Sequence, residues 1–146
     1  MTTSTHEQIL VGPMAIRPRI EPAETDGVIA IHEFDVPAGV SLPVPHSHDA
    51  YEETIYGVKG TVTFTLEGTP HDIEPGATLF IPRGAIHTFA NTGAVDATAL
   101  AIITPGLLGA DYFREVAEIL DNATGGPPDL AAIGDVMRRH GLTPAP

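Results

Sequence analysis

Between residues 28 and 103 apolar and polar positions alternate in short runs that glycine and proline interrupt every few residues. The run 28–36 (VIAIHEFDV) is rich in β-branched residues and closes at Pro37, Ala38 and Gly39, which predicts a strand. The clearest alternation is 61–66 (TVTFTL), with Val62, Phe64 and Leu66 on one face and threonines on the other. A turn at 67–70 (EGTP), a return over 71–73, a corner at Pro75-Gly76 and a strand over 78–81 (TLFI) follow. Two more strands are predicted at 87–90 and along the apolar run 97–103. So many short strands in so little chain predict an all-β barrel or sandwich.

After Pro105-Gly106 the period changes. Tyr112, Phe113, Val116, Ile119 and Leu120 recur at helical spacing behind Asp111, the expected N-cap, and the helix should end before Gly125-Gly126-Pro127-Pro128. Asp129 is the expected N-cap of a second helix, whose apolar stripe is Leu130, Ile133, Val136 and Met137. Arg138, Arg139 and His140 would lie at the negative end of its dipole, before Gly141. Both helices are expected to pack on the outside of the barrel. Their long prolyl linker and their acidic and apolar faces do not suit a helix-turn-helix DNA reader.

Composition narrows the chemistry. At 146 residues the chain has the length of one domain with a single core, here a barrel over about 10–105 and a helical extension over about 107–142. There is no cysteine, so a metal would have to sit on histidine and carboxylate. A formal charge of −12 opposes binding to nucleic acid or to an anionic membrane surface, and a small molecule is the expected partner. Residues 1–10 (MTTSTHEQIL) lack the basic and apolar regions of a secretion signal, so a cytoplasmic location is expected.

The candidate chemistry lies in two strand-bounded segments. In 39–60 (GVSLPVPHSHDAYEETIYGVKG), His46 and His48 are two apart, so on a strand both imidazoles face the same side and can chelate one ion. Glu52 and Glu53 follow. Adjacent strand residues point to opposite faces, so only one of the two can enter such a site. The second segment is 76–91 (GATLFIPRGAIHTFAN), with Pro82, Gly84, His87 and Asn91. The isolated histidines His6, His32, His71 and His140 read as solvated or hydrogen-bonded. Tyr51, Tyr56, Phe64 and Phe89 read as core aromatics rather than pocket lining.

These two segments resemble the paired motifs of the cupin superfamily. The second motif, Gly-x5-Pro-x-Gly-x2-His-x3-Asn, is met at every position from Gly76 to Asn91. The first, Gly-x5-His-x-His-x3,4-Glu-x6-Gly, is met from His46 to Gly60 through Glu53; it departs only at Gly39, from which six residues rather than five lead to His46. Choosing Glu52 instead would put Gly60 out of step.

The resemblance implies a cupin (double-stranded β-helix, or jelly-roll) barrel with two C-terminal α-helices. It implies one divalent transition metal (Fe, Mn, Ni, Cu, Co or Zn) on His46, His48, Glu53 and His87. It casts Pro82 and Gly84 as turn residues aiming His87, and Asn91 as a hydrogen-bonding loop anchor. Within cupins the chain is similar to small proteins of the quercetin 2,3-dioxygenase type, and a homodimer is expected. The expected function is oxidation of a small enolic or phenolic compound by dioxygen, with Glu53 as a catalytic base. A non-catalytic small-molecule-binding cupin and a metal-dependent isomerase or lyase are the alternatives.

Overall fold

The computed structural model describes residues 7–42 and 44–146; His6 lies outside them. Strands β1 (Ile9–Val11), β2 (Met14–Ile20), β3 (Ala30–Val36), β4 (His46–His48), β5 (Glu52–Lys59) and β6 (Val62–Leu66) are followed by β7 (Thr69–Ile73), β8 (Thr78–Ile81), β9 (His87–Ala90) and β10 (Ala97–Thr104). Helices α1 (Ala110–Asn122) and α2 (Leu130–Arg139) and strand β11 (Leu142–Pro144) complete the order. Two antiparallel sheets form, in the orders β1-β2-β3-β10-β5-β8 and β11-β4-β9-β6-β7. Their facing surfaces enclose the core of a jelly-roll barrel.

Strict alternation builds the larger sheet. Ala30, His32, Phe34 and Val36 of β3 are buried while the residues between them are partly exposed, and β10 buries Ala97, Ala99, Ala101 and Ile103 in the same way. The register sets Phe34 opposite Ala99 and His32 opposite Ala101. Small side chains on β10 thus leave room for two rings on β3. On the outer face, Arg17 of β2 donates to both carboxylate oxygens of Asp35 (2.6 and 2.7 Å) and to Glu33 (2.6 Å), and Thr98 of β10 donates to Asp35 (2.8 Å). This network ties three strands together.

The sequence pattern did not reveal β1, β2 or β11. The helices also depart from expectation in two respects. Asp129 caps α2, its carboxylate accepting from the Ala132 amide at 3.0 Å, but the N-cap of α1 is Gly109 rather than Asp111. The Ala110 amide donates instead to the distant Glu21 carboxylate (3.2 Å), while Asp111 lies within the first turn and pairs with Arg114 (3.0 Å). Nor does α1 merely cover the outside of the barrel. Tyr112 and Phe113 form part of the wall of the barrel's internal cavity, because the apolar stripe of an amphipathic helix goes to the largest unfilled apolar surface.

The Arg17 guanidinium holds the Asp35 carboxyl below its ordinary value of 3.8, so the ion pair stabilises the fold above that pH and its contribution is lost as pH falls through the lower folded value. Asp35→Asn should cost about 0.5–1 kcal/mol at pH 7, allowing for solvent screening, and the gap from wild type should narrow as pH falls below 3.8 in urea titrations. Gly60 and Gly84 both have positive φ, +63° and +83°. A Cβ on Gly60 would lie 2.4 Å from the Asp96 carbonyl oxygen, whereas one on Gly84 meets nothing within 4 Å. Gly84→Ala should therefore cost about 1–2 kcal/mol, the left-handed penalty alone. Gly60→Ala should lower the melting temperature considerably further, because backbone must move.

Candidate metal centre

On β4 the two-residue period sends His46 and His48 to the interior and Ser47 outward. β4 pairs antiparallel with β9 in a register that sets His46 directly opposite His87. The three rings converge, with centroids 5.2 Å apart for His46 and His48, 4.6 Å for His46 and His87, and 4.7 Å for His48 and His87. One ring nitrogen from each lies within 4.8 Å of the others, so the three could hold one metal ion. Glu53, on β5, is also buried; its Oε1 is 3.6 Å from His87 Nε2, and it stands outside the mutually close group of three. Glu52 turns to the opposite face and pairs with Arg83.

Backbone carbonyls orient two of the rings. His46 Nδ1 donates to the Val44 carbonyl (3.1 Å) and His87 Nδ1 to the Ala85 carbonyl (3.0 Å). A carbonyl only accepts, so the proton is assigned to Nδ1 in both rings and the Nε2 lone pair is left free. His87 Nε2 and His48 Nδ1 are buried without a hydrogen-bond partner among the described residues. Buried polar atoms are rarely left so, and nitrogen lone pairs converging in this way fit a cation. The His48 ring stacks on Tyr51 (4.8 Å), whose hydroxyl donates to the His140 carbonyl at 3.1 Å.

Electrostatics agree with this fit. Burial pushes His46 down to about 4 and His48 to about 2, and lowers His87 against the opposing effect of its hydrogen bond to Ala85. Burial also pushes the Glu53 carboxyl up to about 7. An ion pair between His87 and Glu53 would raise the first and lower the second, the reverse of these directions. Their 3.6 Å approach is therefore not an ion pair. The site presents three neutral imidazoles and a carboxyl whose ionised form lacks a compensating cation.

The second segment supplies supports. The Gly84 amide donates to the His48 carbonyl (2.8 Å), tying the turn before β9 to β4. Asn91 is buried; its Nδ2 donates to the Val36 and Val95 carbonyls (2.9 and 2.8 Å), and its Oδ1 accepts from the Gly93 amide (3.0 Å). Leu142 and Pro144 of β11 lie opposite His48 and His46, so the last strand braces the outer side of β4.

The cavity beside the histidines has a volume of about 80 Å³ and walls that are mainly apolar. Phe64 and Phe89 belong to the core, as expected, and also line the cavity, while Tyr51 is core packed beneath His48 and Tyr56 is exposed. His32, expected to be solvated or hydrogen-bonded, is buried and also lines the cavity. Its signal was present in the alternation of β3, which places it on the same face as Phe34. His71 is partly exposed on β7, and His140 pairs with Glu115.

The class is that of a jelly-roll barrel with inward-facing histidines on two paired strands, β4 and β9. Residues 32–103 match the family model described as a cupin domain, and the chain belongs to the cupin superfamily. It is similar to an uncharacterized protein of Aquifex aeolicus (37% identical over 71 residues, 49% of this chain and 58% of that one). It is also similar to quercetin 2,3-dioxygenase of Bacillus subtilis (24% over 112 residues, 77% of this chain and 32% of that one). The chain thus spans little more than half of the first relative and a third of the second. Among solved structures, a predicted oxalate decarboxylase of Thermotoga maritima shares the fold, with a TM-score of 0.63 and 23% identity over 72% of this chain and 99% of that one.

Asn91 gives the local test of how the second segment is held. Asn91→Ala leaves two carbonyls and an amide without their partner, and should cost about 2–4 kcal/mol in denaturant unfolding.

Proposed function

We propose that this cupin is a metal-dependent dioxygenase acting on a small enolic or phenolic compound, with His46, His48, His87 and Glu53 holding one divalent transition ion. The observation that carries the reading is the buried cluster of three neutral imidazoles, with unpartnered nitrogens, beside a buried carboxyl in an apolar cavity. Iron, manganese, nickel, copper, cobalt and zinc all accept such a donor set. When bound, a redox-active ion supplies electron transfer to dioxygen and Lewis acidity toward a substrate oxygen.

The chain's own residues do the rest. Glu53 is the one carboxylate among the described residues that line the cavity, and so is the group there that can accept the proton of a bound enol or phenol. Phe34, Phe64, Phe89, Met14 and Leu42 offer an apolar seat for the substrate's carbon skeleton and exclude water from the reacting oxygens. About 80 Å³ suits the reacting end of a small molecule and not a multi-ring one. The working protein in this reading is a cytoplasmic homodimer. Exposed Tyr56, Val58 and Phe80, on adjacent strands of the six-stranded sheet, are apolar surface that a dimer would cover. No helix among the described residues is long and apolar enough to cross a membrane.

The test is elemental analysis of protein purified without added metal, beside His46→Ala and His87→Ala, followed by oxygen-uptake assays with catechol and acetylacetone. One equivalent of a redox-active metal that both variants lose, with oxygen consumed by wild type, is the expected result. Zinc with no oxygen uptake would replace the dioxygenase by Lewis-acid isomerase or lyase chemistry. Wild type that stays metal-free after reconstitution would overturn the reading.

A further inference from the structure

His32 stands apart from the candidate metal ligands yet shares their cavity. The alternation of β3 turns it inward, and it is 8% exposed. It lies outside the group of ring nitrogens that could hold an ion. Phe113 of α1 packs edge-on against its ring (4.8 Å between centroids), and Phe34 lies 5.9 Å away. Ala101 opposite it on β10 makes room for the ring. Neither ring nitrogen has a hydrogen-bond partner among the described residues.

An imidazole carries a donor and an acceptor, and leaving both only slightly exposed with no protein partner carries a desolvation cost, smaller than for the fully enclosed His48 Nδ1 and His87 Nε2. A leucine or phenylalanine at this position would fill the same apolar niche without that cost. Among the described residues that line the cavity, His32 and Tyr112 are the only polar side chains apart from His46, His48, Glu53 and His87. The unmet nitrogens therefore point to a partner that arrives with the ligand.

We propose that His32 is a substrate-contact residue that hydrogen-bonds an oxygen of the bound molecule. The substrate is accordingly a small compound with at least two oxygen functions, one directed to the three-histidine cluster and one to His32, joined by an apolar skeleton. Burial keeps the His32 ring neutral, lowering it to about 4, so it offers one N–H and one lone pair and recognises a hydroxyl or carbonyl without demanding a charge. The inference deepens the proposed function and rests on the metal reading.

Zinc-reconstituted wild type, His32→Phe and His32→Gln test it, with kojic acid, a hydroxypyranone bearing an additional hydroxymethyl group, as the probe. All three proteins should retain one equivalent of zinc, because His32 is not a ligand. His32→Phe should bind kojic acid roughly tenfold more weakly, and His32→Gln, which keeps a donor and an acceptor, should recover most of the loss. In ¹⁵N-histidine-labelled wild type, the His32 ring nitrogens should shift on addition of kojic acid. A merely structural His32 would leave them unmoved. Where His32→Phe fails to fold, His32→Gln and the ring-nitrogen shifts decide.

Full zinc with unchanged kojic acid affinity in His32→Phe, or a His32 ring that does not respond in wild type, overturns this inference and leaves the metal reading standing. Wild type that takes up no zinc overturns the metal reading and this inference with it. Zinc-loaded wild type that binds no kojic acid overturns the class of oxygen-chelating substrate on which both rest.

Discussion

Removing three imidazoles and a carboxyl from water inside one apolar chamber is the constraint on which the rest of this structure depends. Each desolvated group resists charging, and the directions agree: the histidines are pushed down and Glu53 is pushed up. The polar atoms that the chain can satisfy are satisfied by backbone, with the Val44 and Ala85 carbonyls taking the Nδ1 protons of His46 and His87. What remains unsatisfied points inward. A fold that needed only stability would fill these positions with leucine and valine, because an unpartnered polar group costs stability without return.

The supports of the chamber come from distant parts of the chain. β4 is three residues long and meets β9 at a single residue pair, a weak hold for a strand carrying two of the inward histidines. The hold is reinforced from both sides. The Gly84 amide reaches the His48 carbonyl from the turn before β9, and β11 pairs with all three residues of β4 after the chain has passed through both helices. That return explains why the helices belong to the site. They deliver β11 to β4, and on the way α1 contributes Tyr112 and Phe113 to the cavity wall.

How much of this was legible in the sequence follows from the range of the interactions. Alternation is local, and it found β3, β6 and β10 because each buries residues two apart, whereas β8 and β9, with one buried residue each, were marked by the proline and glycine turns that flank them. The histidine pair on β4 was readable by the same period, and the spacing of Pro82, Gly84, His87 and Asn91 marked the facing strand. β2 was not readable, because Arg17, Pro18 and Arg19 dilute its alternation; Arg17 is there to meet Asp35 and Glu33 across the sheet. β11 has only Leu142 buried and is a strand because β4 needs a neighbour. The α1 cap was misread for a related reason. Asp111 is a good local cap, yet Glu21, far off in sequence, takes the Ala110 amide. His32 shows the limit from the other side: its face was predictable, but that this face opens on a cavity depends on Ala101 and on a helix that closes the space from outside the sheet.

The size of the chamber carries the argument from fold toward substrate. About 80 Å³ beside the histidines holds a few heavy atoms, enough for the reacting end of a molecule and too little for a fused ring system. A second cavity of about 240 Å³ shares Met14, Leu42, His46 and Tyr112 with it, and its other walls include Val11, Val40, Val44, Val116, Leu120, Ile133 and Met137. The two spaces differ in polarity: histidines and a carboxyl gather in the smaller, while the larger is nearly all aliphatic. A molecule with its oxygens at one end and a hydrocarbon portion at the other matches that division, whereas a compound polar along its whole length would leave hydroxyls unpaired against aliphatic walls at about 1–3 kcal/mol each. On the proposed function, this gradient of polarity between the two cavities favours substrates whose oxygen functions are clustered.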